Sequence, residues 1–250
     1  MLGAFASAVG IVATLALAAA AAFARALTPA ASAVAAAFGA VIVVFGGFGF
    51  LGLLVVFVAV SSLATRYRFE EKAKRHVQEG RAGERGVSNV LSHIVLPTAI
   101  ALAGGLGWIP LAAASVLFAC ALAFASADTL AGEFGVLTGS AVSILTFRDV
   151  TPGTNGGIST VGEMFAVAGS MGTALVGFGL FVLFGDPVVV ASVFLVAVGV
   201  AGFVACQVDS VLGEALENRG ILTKGSTNFF GMLSAIALGA TWVVLSGVHL

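Results

Sequence analysis

Between Arg25 and Arg66 the chain carries no charged side chain at all. A helix or strand half-exposed to water needs a polar face, and a stretch this long without charge has none to offer. Such runs persist where the backbone satisfies its own hydrogen bonds, as in bilayer-spanning helices of about 20 residues. Comparable apolar runs place helices near 3–24, 30–45, 47–64, 93–107, 110–132, 159–184, 187–207 and 229–249. The second and third are short, and Gly46, Gly47 and Gly49 could join them into one kinked helix, so seven or eight spans are expected. The fold class is therefore all-α, a polytopic integral membrane protein with a single transmembrane domain over residues 1–250. Residues 1–64 supply N-terminal helices, 65–92 a basic loop, and 93–250 the helices and loops that carry chemistry.

Composition agrees. Only 9% of residues are charged, against about 25% in soluble domains. The 33 glycines suit close helix–helix approach in lipid. Residues 1–24 lack a charged leading segment and read as a first transmembrane helix rather than a cleaved leader. The net charge of -1 and the lack of a basic arm give no support to a nucleic-acid partner. Cys120 and Cys206 both lie in apolar runs and read as small buried hydrophobes.

The polar connections are 65–92, 133–158 and 208–228. With eight spans and the N-terminus outside, all 11 lysines and arginines fall in loops on one side, which the positive-inside rule makes cytoplasmic. The expected location is the cell membrane, with these loops facing the cytoplasm. Asp186 is the only charge in a loop of the opposite face. A transporter usually offers polar groups along a path near mid-depth. Polar chemistry stacked at one surface points instead to an enzyme acting on a lipid-like substrate at the interface.

Two segments frame that chemistry. "DTLAGE" (Asp128–Glu133) and "DSVLGE" (Asp209–Glu214) each close an apolar helix, and Thr154-Asn155 and Thr227-Asn228 follow them in turn. This pattern suggests a parallel internal repeat of helix hairpins, 110–184 and 187–249, which would bring both aspartates to the same side. Two converging carboxylates repel unless a cation lies between them, and Mg²⁺, which takes one or two carboxylates plus substrate phosphates, is the natural metal for Asp128 and Asp209. Glu133 and Glu214 are weaker candidates for the same role.

"TPGTNGGIST" (Thr151–Thr160) is a polar loop in a greasy chain. Gly153, Gly156 and Gly157 allow positive φ, and successive loop amides can form an anion-binding nest. Pro152 stiffens the approach, and Ser159 and Thr160 open a helix with Glu163 behind them, an end that can also hold phosphate. "TKGST" (Thr223–Thr227) lacks the spacing of a nucleotide-binding P-loop. In "TRYRFEEKAKRH" (Thr65–His76), the pairs Glu70–Lys74 and Glu71–Arg75 support a helix, either a solvated anchor or a grip on an anionic head group by Arg66 and Lys72. His76, His93 and His249 form no zinc or triad pattern, and His93 reads as a packing or capping residue.

"SADTLAGEFG", "PGTNGGIS", "VDSVLGE" and "TRYRFEEK", with these gaps, resemble an integral membrane family of largely unknown function that includes the plant phytyl-phosphate kinase. The resemblance covers essentially the whole chain. It implies transfer of a phosphoryl group from a nucleoside triphosphate, CTP favoured, to a prenyl monophosphate, giving the diphosphate. Family motif positions fall on Arg66, Lys72, Ser126, Asp128, Thr129, Glu133, Gly153, Thr154, Asn155, Gly156, Gly157, Asp209, Ser210 and Asn228. Gly132, Glu214 and "NVLSH" depart from the family pattern, which makes the Glu214 half of the repeat coincidental. The expected machinery is then Asp128 and Asp209 on Mg²⁺, Asn155 and the loop amides on the triphosphate, and Lys72, Arg66 and Arg148 as phosphate cations. The rivals are another lipid phosphotransferase or cytidylyltransferase, and an ion-coupled transporter using Asp128, Glu133, Glu163 and Asp209.

Overall fold

The computed structural model describes residues 3–247. Helices α1 (Ala4–Phe23), α2 (Pro29–Phe45) and α3 (Phe48–Arg66) are followed by a short α4 (Phe69–Lys74) and by α5 (Val87–Gly105) and α6 (Leu111–Gly135). Three short strands, β1 (Ala141–Ser143), β2 (Asp149–Val150) and β3 (Gly157–Ile158), precede α7 (Thr160–Phe184). Then come α8 (Ala191–Leu212), which continues as a π-helical turn (Gly213–Glu217), and α9 (Lys224–Leu245). Among the described residues seven of these helices are long and apolar enough to cross a membrane, and α2 is a shorter apolar helix. His249 lies outside the described residues.

The chain reverses at Gly46–Gly47, where Gly47 takes φ 116°, so α2 and α3 are separate helices rather than one kinked rod. The start of α2 and the end of α3 meet one residue: Thr28 donates its N–H to the Arg85 carbonyl at 3.1 Å, and Arg85 Nη2 donates to Thr65 Oγ1 at 3.4 Å. Helices α5 and α9 begin earlier than their apolar runs do. Val87 to Ser92 are already helical, and a Thr223–Ser226 capping box starts α9 at Lys224.

Helix α6 is the centre of the bundle. It is rich in Ala, and such small side chains let neighbours approach from every side. It packs against α3, α5, α7, α8 and α9, and Ala113 to Ala127 are buried throughout. Helix α1 is at the other extreme, packed chiefly on α2 and otherwise exposed, as a lipid-facing helix would be.

At one end of the bundle, Asp186 accepts the Gly49 N–H at 2.8 Å, satisfying an orphan amide at the start of α3. The connections α3–α5, α6–α7 and α8–α9 gather at the opposite end. Glu133 accepts from Thr65 at 2.7 Å, Asn155 donates to Glu217 at 3.0 Å, and Lys224 pairs with Glu79 at 3.1 Å. The α6–α7 connection contains a small antiparallel sheet in the order β2-β1-β3, with Ala141 opposite Val150 and Val142 opposite Ile158. Its strands, of three, two and two residues, are too short to show a two-residue period in the sequence.

Candidate functional site

The three polar connections enclose a cavity of about 420 Å³ at their end of the bundle. Helix α6 contributes Asp128, Thr129 and Glu133; α8 contributes Asp209 and Ser210; α9 contributes Asn228. The β2–β3 loop adds Gly153, Thr154, Asn155, Gly156 and Gly157, with Ser159 at the start of α7. Residues spread over a hundred positions of sequence thus share one chamber.

The loop is shaped by its glycines and by the end of α8. Gly156 sits at φ 77°, and a Cβ there would stand 2.4 Å from the Glu214 Cβ. Glu214 in turn accepts from Ser143 Oγ at 2.6 Å, holding β1 on the π-helical turn. Asn155 Nδ2 donates to Glu217 Oε1 on that same turn. Two loop amides close turns within the segment, Thr154 N–H to the Thr151 carbonyl and Gly157 N–H to that of Thr154. Among the described residues the amides of Gly153, Asn155 and Gly156 have no hydrogen-bond partner. Ser159 caps α7 by accepting the Gly162 N–H at 3.1 Å.

Asp128 and Asp209 face this cavity from adjacent helices, close enough for the charge of Asp128 to act on Asp209. Neither carboxylate receives a hydrogen bond from a described residue, and Asp209 Oδ1 is fully buried without a partner. A buried carboxylate oxygen with no donor is costly. A hard divalent cation held by both aspartates and completed by ligand oxygens would satisfy it. No three His, Cys, Asp or Glu side chains among the described residues gather as a complete protein cage. The donor set therefore fits a metal that arrives with phosphate rather than one enclosed by protein.

The cations are not the expected ones. Lys72 is fully buried, and its ammonium is spent on the Ala64 carbonyl (2.8 Å), the Thr65 carbonyl (3.3 Å) and Glu133 (2.6 Å). Those are all three of its donors. Arg66 reaches back to the Ala24 carbonyl. Arg148 lies in the exposed β1–β2 turn, its carbonyl bonded to Ser143 N–H. None of the three lines the cavity, and neither does Ser126, which accepts from Thr173 Oγ1 at 2.9 Å. Arg85 and Lys224 line it instead. Burial pushes the Arg85 guanidinium down from its usual value, against the pull of Glu79, Glu133 and Asp128. Its Nη1 donates to Asn89 Oδ1 at 3.2 Å, while its buried Nε has no partner.

His93 also belongs to this wall. Its Nδ1 lies 2.8 Å from the Asn89 carbonyl, which fixes the proton there and leaves Nε2 to accept from Asn228 Nδ2 at 3.4 Å. Ser88, Asn89, Ser92 and His93 recur at three- and four-residue spacing in α5, the one signal that could have turned this face toward the site. Glu163, offered above as part of an ion path, accepts from Gln207 at 2.9 Å.

The bundle and its cavity define a polytopic all-helical membrane protein with its polar chemistry collected at one end. More narrowly, the chain belongs to the integral membrane protein family DUF92, whose pattern it matches over residues 12–248. It is 29% identical over 205 residues to an uncharacterized membrane protein of Methanocaldococcus jannaschii, covering 80% of this chain and 79% of that protein. It is 28% identical over 214 residues to an uncharacterized membrane protein of Synechocystis, covering 80% and 78%. No solved structure matches the chain.

Proposed function

We propose that the protein is a membrane-embedded kinase that transfers the γ-phosphoryl group of a nucleoside triphosphate to a prenyl monophosphate. The observation that carries this reading is the pair of partnerless carboxylates, Asp128 and Asp209, facing free loop amides and two cations in one chamber. Carboxylates for a metal, amides for anions and basic groups for charge are what phosphoryl transfer asks of a protein. Asp128 and Asp209 would hold Mg²⁺, which when bound neutralises phosphate charge.

An oxygen of the prenyl monophosphate forms the new bond to the γ-phosphorus. The bond from that phosphorus to the β–γ bridging oxygen breaks, and its electron pair leaves with the nucleoside diphosphate. A phosphate monoester has its second pKa near 6, so the attacking oxygen is largely ionised at neutral pH and no general base is needed. The free amides of Gly153, Asn155 and Gly156 bind triphosphate oxygens, and Arg85 and Lys224 supply positive charge. Glu217 orients Asn155, and His93 orients Asn228. Lys72 ties α3 and α4 to α6 through Glu133 rather than touching phosphate. Use of a nucleoside triphosphate places the loop end on the cytoplasmic side of the cell membrane, the side its basic residues favour.

The test is purified protein with γ-labelled nucleoside triphosphates, CTP first, plus Mg²⁺ and phytyl or geranylgeranyl monophosphate. Labelled prenyl diphosphate, lost in Asp128→Asn, is expected. If no nucleotide labels any prenyl phosphate the reading fails; pyrophosphate release would then indicate cytidylyl transfer, and ion flux across proteoliposomes would indicate transport.

A further inference from the structure

One cation in the chamber wall has a charge that the fold does not answer. Arg85 is 9% exposed and is held from several sides. Its N–H donates to the Ala26 carbonyl at 3.0 Å, and its carbonyl accepts the Thr28 N–H at 3.1 Å. Its Nη1 and Nη2 donate to Asn89 Oδ1 and Thr65 Oγ1, both neutral oxygens, and its Nε has no partner. Only two of its five donor hydrogens are used. Among the described residues no carboxylate lies within ion-pair distance of it. Lys72, buried in the same connection, shows what the fold does with a cation it needs, since Glu133 pairs with it. A buried guanidinium left with neutral acceptors and spare donors is costly. An anionic oxygen from a ligand would relieve that cost.

Arg85 and the free loop amides belong to different walls. Arg85 lies where α2 begins and α3 ends, just before α5. The β2–β3 loop rests on the end of α8 through Asn155 and Glu217. Helix α6, which carries Asp128, contacts α3 and α5 as well as α8. The charge of Arg85 acts on Asp128, and that of Glu217 acts on Asp209. We propose that the chamber holds two anions at once: Arg85 takes a phosphate monoester, the loop amides take the triphosphate, and the Asp128–Asp209 pair stands between them. Asn228, which gives one amide hydrogen to His93 and keeps a second, adds a neutral donor for the monoester. Two facing anion sites around the carboxylates are what direct transfer from one phosphate to another requires. The monoester's role as acceptor rests on the kinase reading, but the presence of a monoester site at Arg85 does not.

The experiment is equilibrium binding to protein in nanodiscs of geranylgeranyl monophosphate, of geranylgeraniol, and of the β,γ-methylene analogue of CTP with Mg²⁺. In Arg85→Gln the monophosphate should bind about tenfold more weakly or worse, the scale of losing a charged hydrogen bond. The alcohol and the nucleotide analogue should bind as they do to the wild type, and the analogue also reports that the variant folds. Gly156→Ala, which disturbs the amides of the other wall, should reverse the pattern. If Arg85→Gln loses every ligand, Arg85→Lys decides: it keeps the charge but not the fork, and should weaken the monophosphate alone. Inorganic phosphate, added as competitor, should displace the prenyl phosphate only weakly; equal potency would give the site to a soluble phosphate and overturn its acceptor role. Arg85 variants that weaken the nucleotide and spare the monophosphate overturn the proposal. So does competition between monophosphate and nucleotide analogue in the wild type. Arg85-dependent monophosphate binding with no phosphoryl transfer by the wild type would uphold the site and sink the kinase.

Discussion

The two ends of this bundle treat acidic side chains in opposite ways. At one end Asp186 is paired with an amide at the start of α3, a contact made for the fold's sake. At the other, Asp128 and Asp209 stand in a chamber with no protein donor between them. Glu133, five residues beyond Asp128 on α6, shows that the loop end is able to neutralise a carboxylate when the fold needs it, since Lys72 and Thr65 both reach it. The difference separates acids that hold the structure from acids that the structure holds. The first kind costs stability when removed. The second kind should cost activity and give stability back.

The largest effect should come from the structural kind. Lys72→Met strips Glu133 of its counter-charge and leaves it the Thr65 hydroxyl alone, and breaking one side of a buried pair costs about 3–5 kcal/mol. Thermal unfolding in detergent would show it, with transfer lost only in proportion to folded protein. Next comes the reverse case. Asp209→Asn should lower phosphoryl transfer more than about 100-fold, the scale of losing an electrostatic stabiliser, while the melting temperature measured without Mg²⁺ holds or rises. An equal loss of stability in Asp209→Asn would erase the distinction between the two ends. Gly156→Ala falls between the classes: positive φ and the collision with Glu214 should cost about 1–2 kcal/mol. Because that loop carries the free amides, nucleotide KM should rise in the same variant.

How far the sequence foretold this depends on what lipid and charge enforce. The spans were legible because a bilayer tolerates only long uncharged runs, and the clustering of the polar connections followed from their charge. Asp128, Asp209 and the loop around Asn155 stood out as residue types that helices in lipid avoid. Which basic residues turn inward was not legible. Lys72 lies in a charged i,i+4 helix that reads as solvated, yet it is fully buried, whereas Arg85 lies in a Gly- and Glu-rich loop that reads as linker. Only the packing of α4 against the ends of α3 and α6 decides between them. His93 was hidden for a related reason: α5 starts at Val87, and its polar turn looked like loop before the apolar run began.

The smallest effect belongs to Asp186, and it tests the comparison from the quiet end. Losing the acceptor in Asp186→Ala should cost about 1 kcal/mol, as for other helix N-caps, and Asp186→Asn less. Burial raises the Asp186 pKa, with the Gly49 N–H pulling the other way. The folded state therefore binds the proton more tightly than the unfolded chain. Stability contributed by this group then falls as pH rises through the interval from the ordinary aspartate value to the raised one. Melting temperatures across the mildly acidic range should show that slope in the wild type and lose it in Asp186→Asn. Phosphoryl transfer per folded molecule should be the same in all three proteins, since the length of α3 separates Asp186 from the chamber. A change in turnover at constant folded fraction would mean that the two ends are coupled through α3, and that the division between structural and functional acids is not one of place.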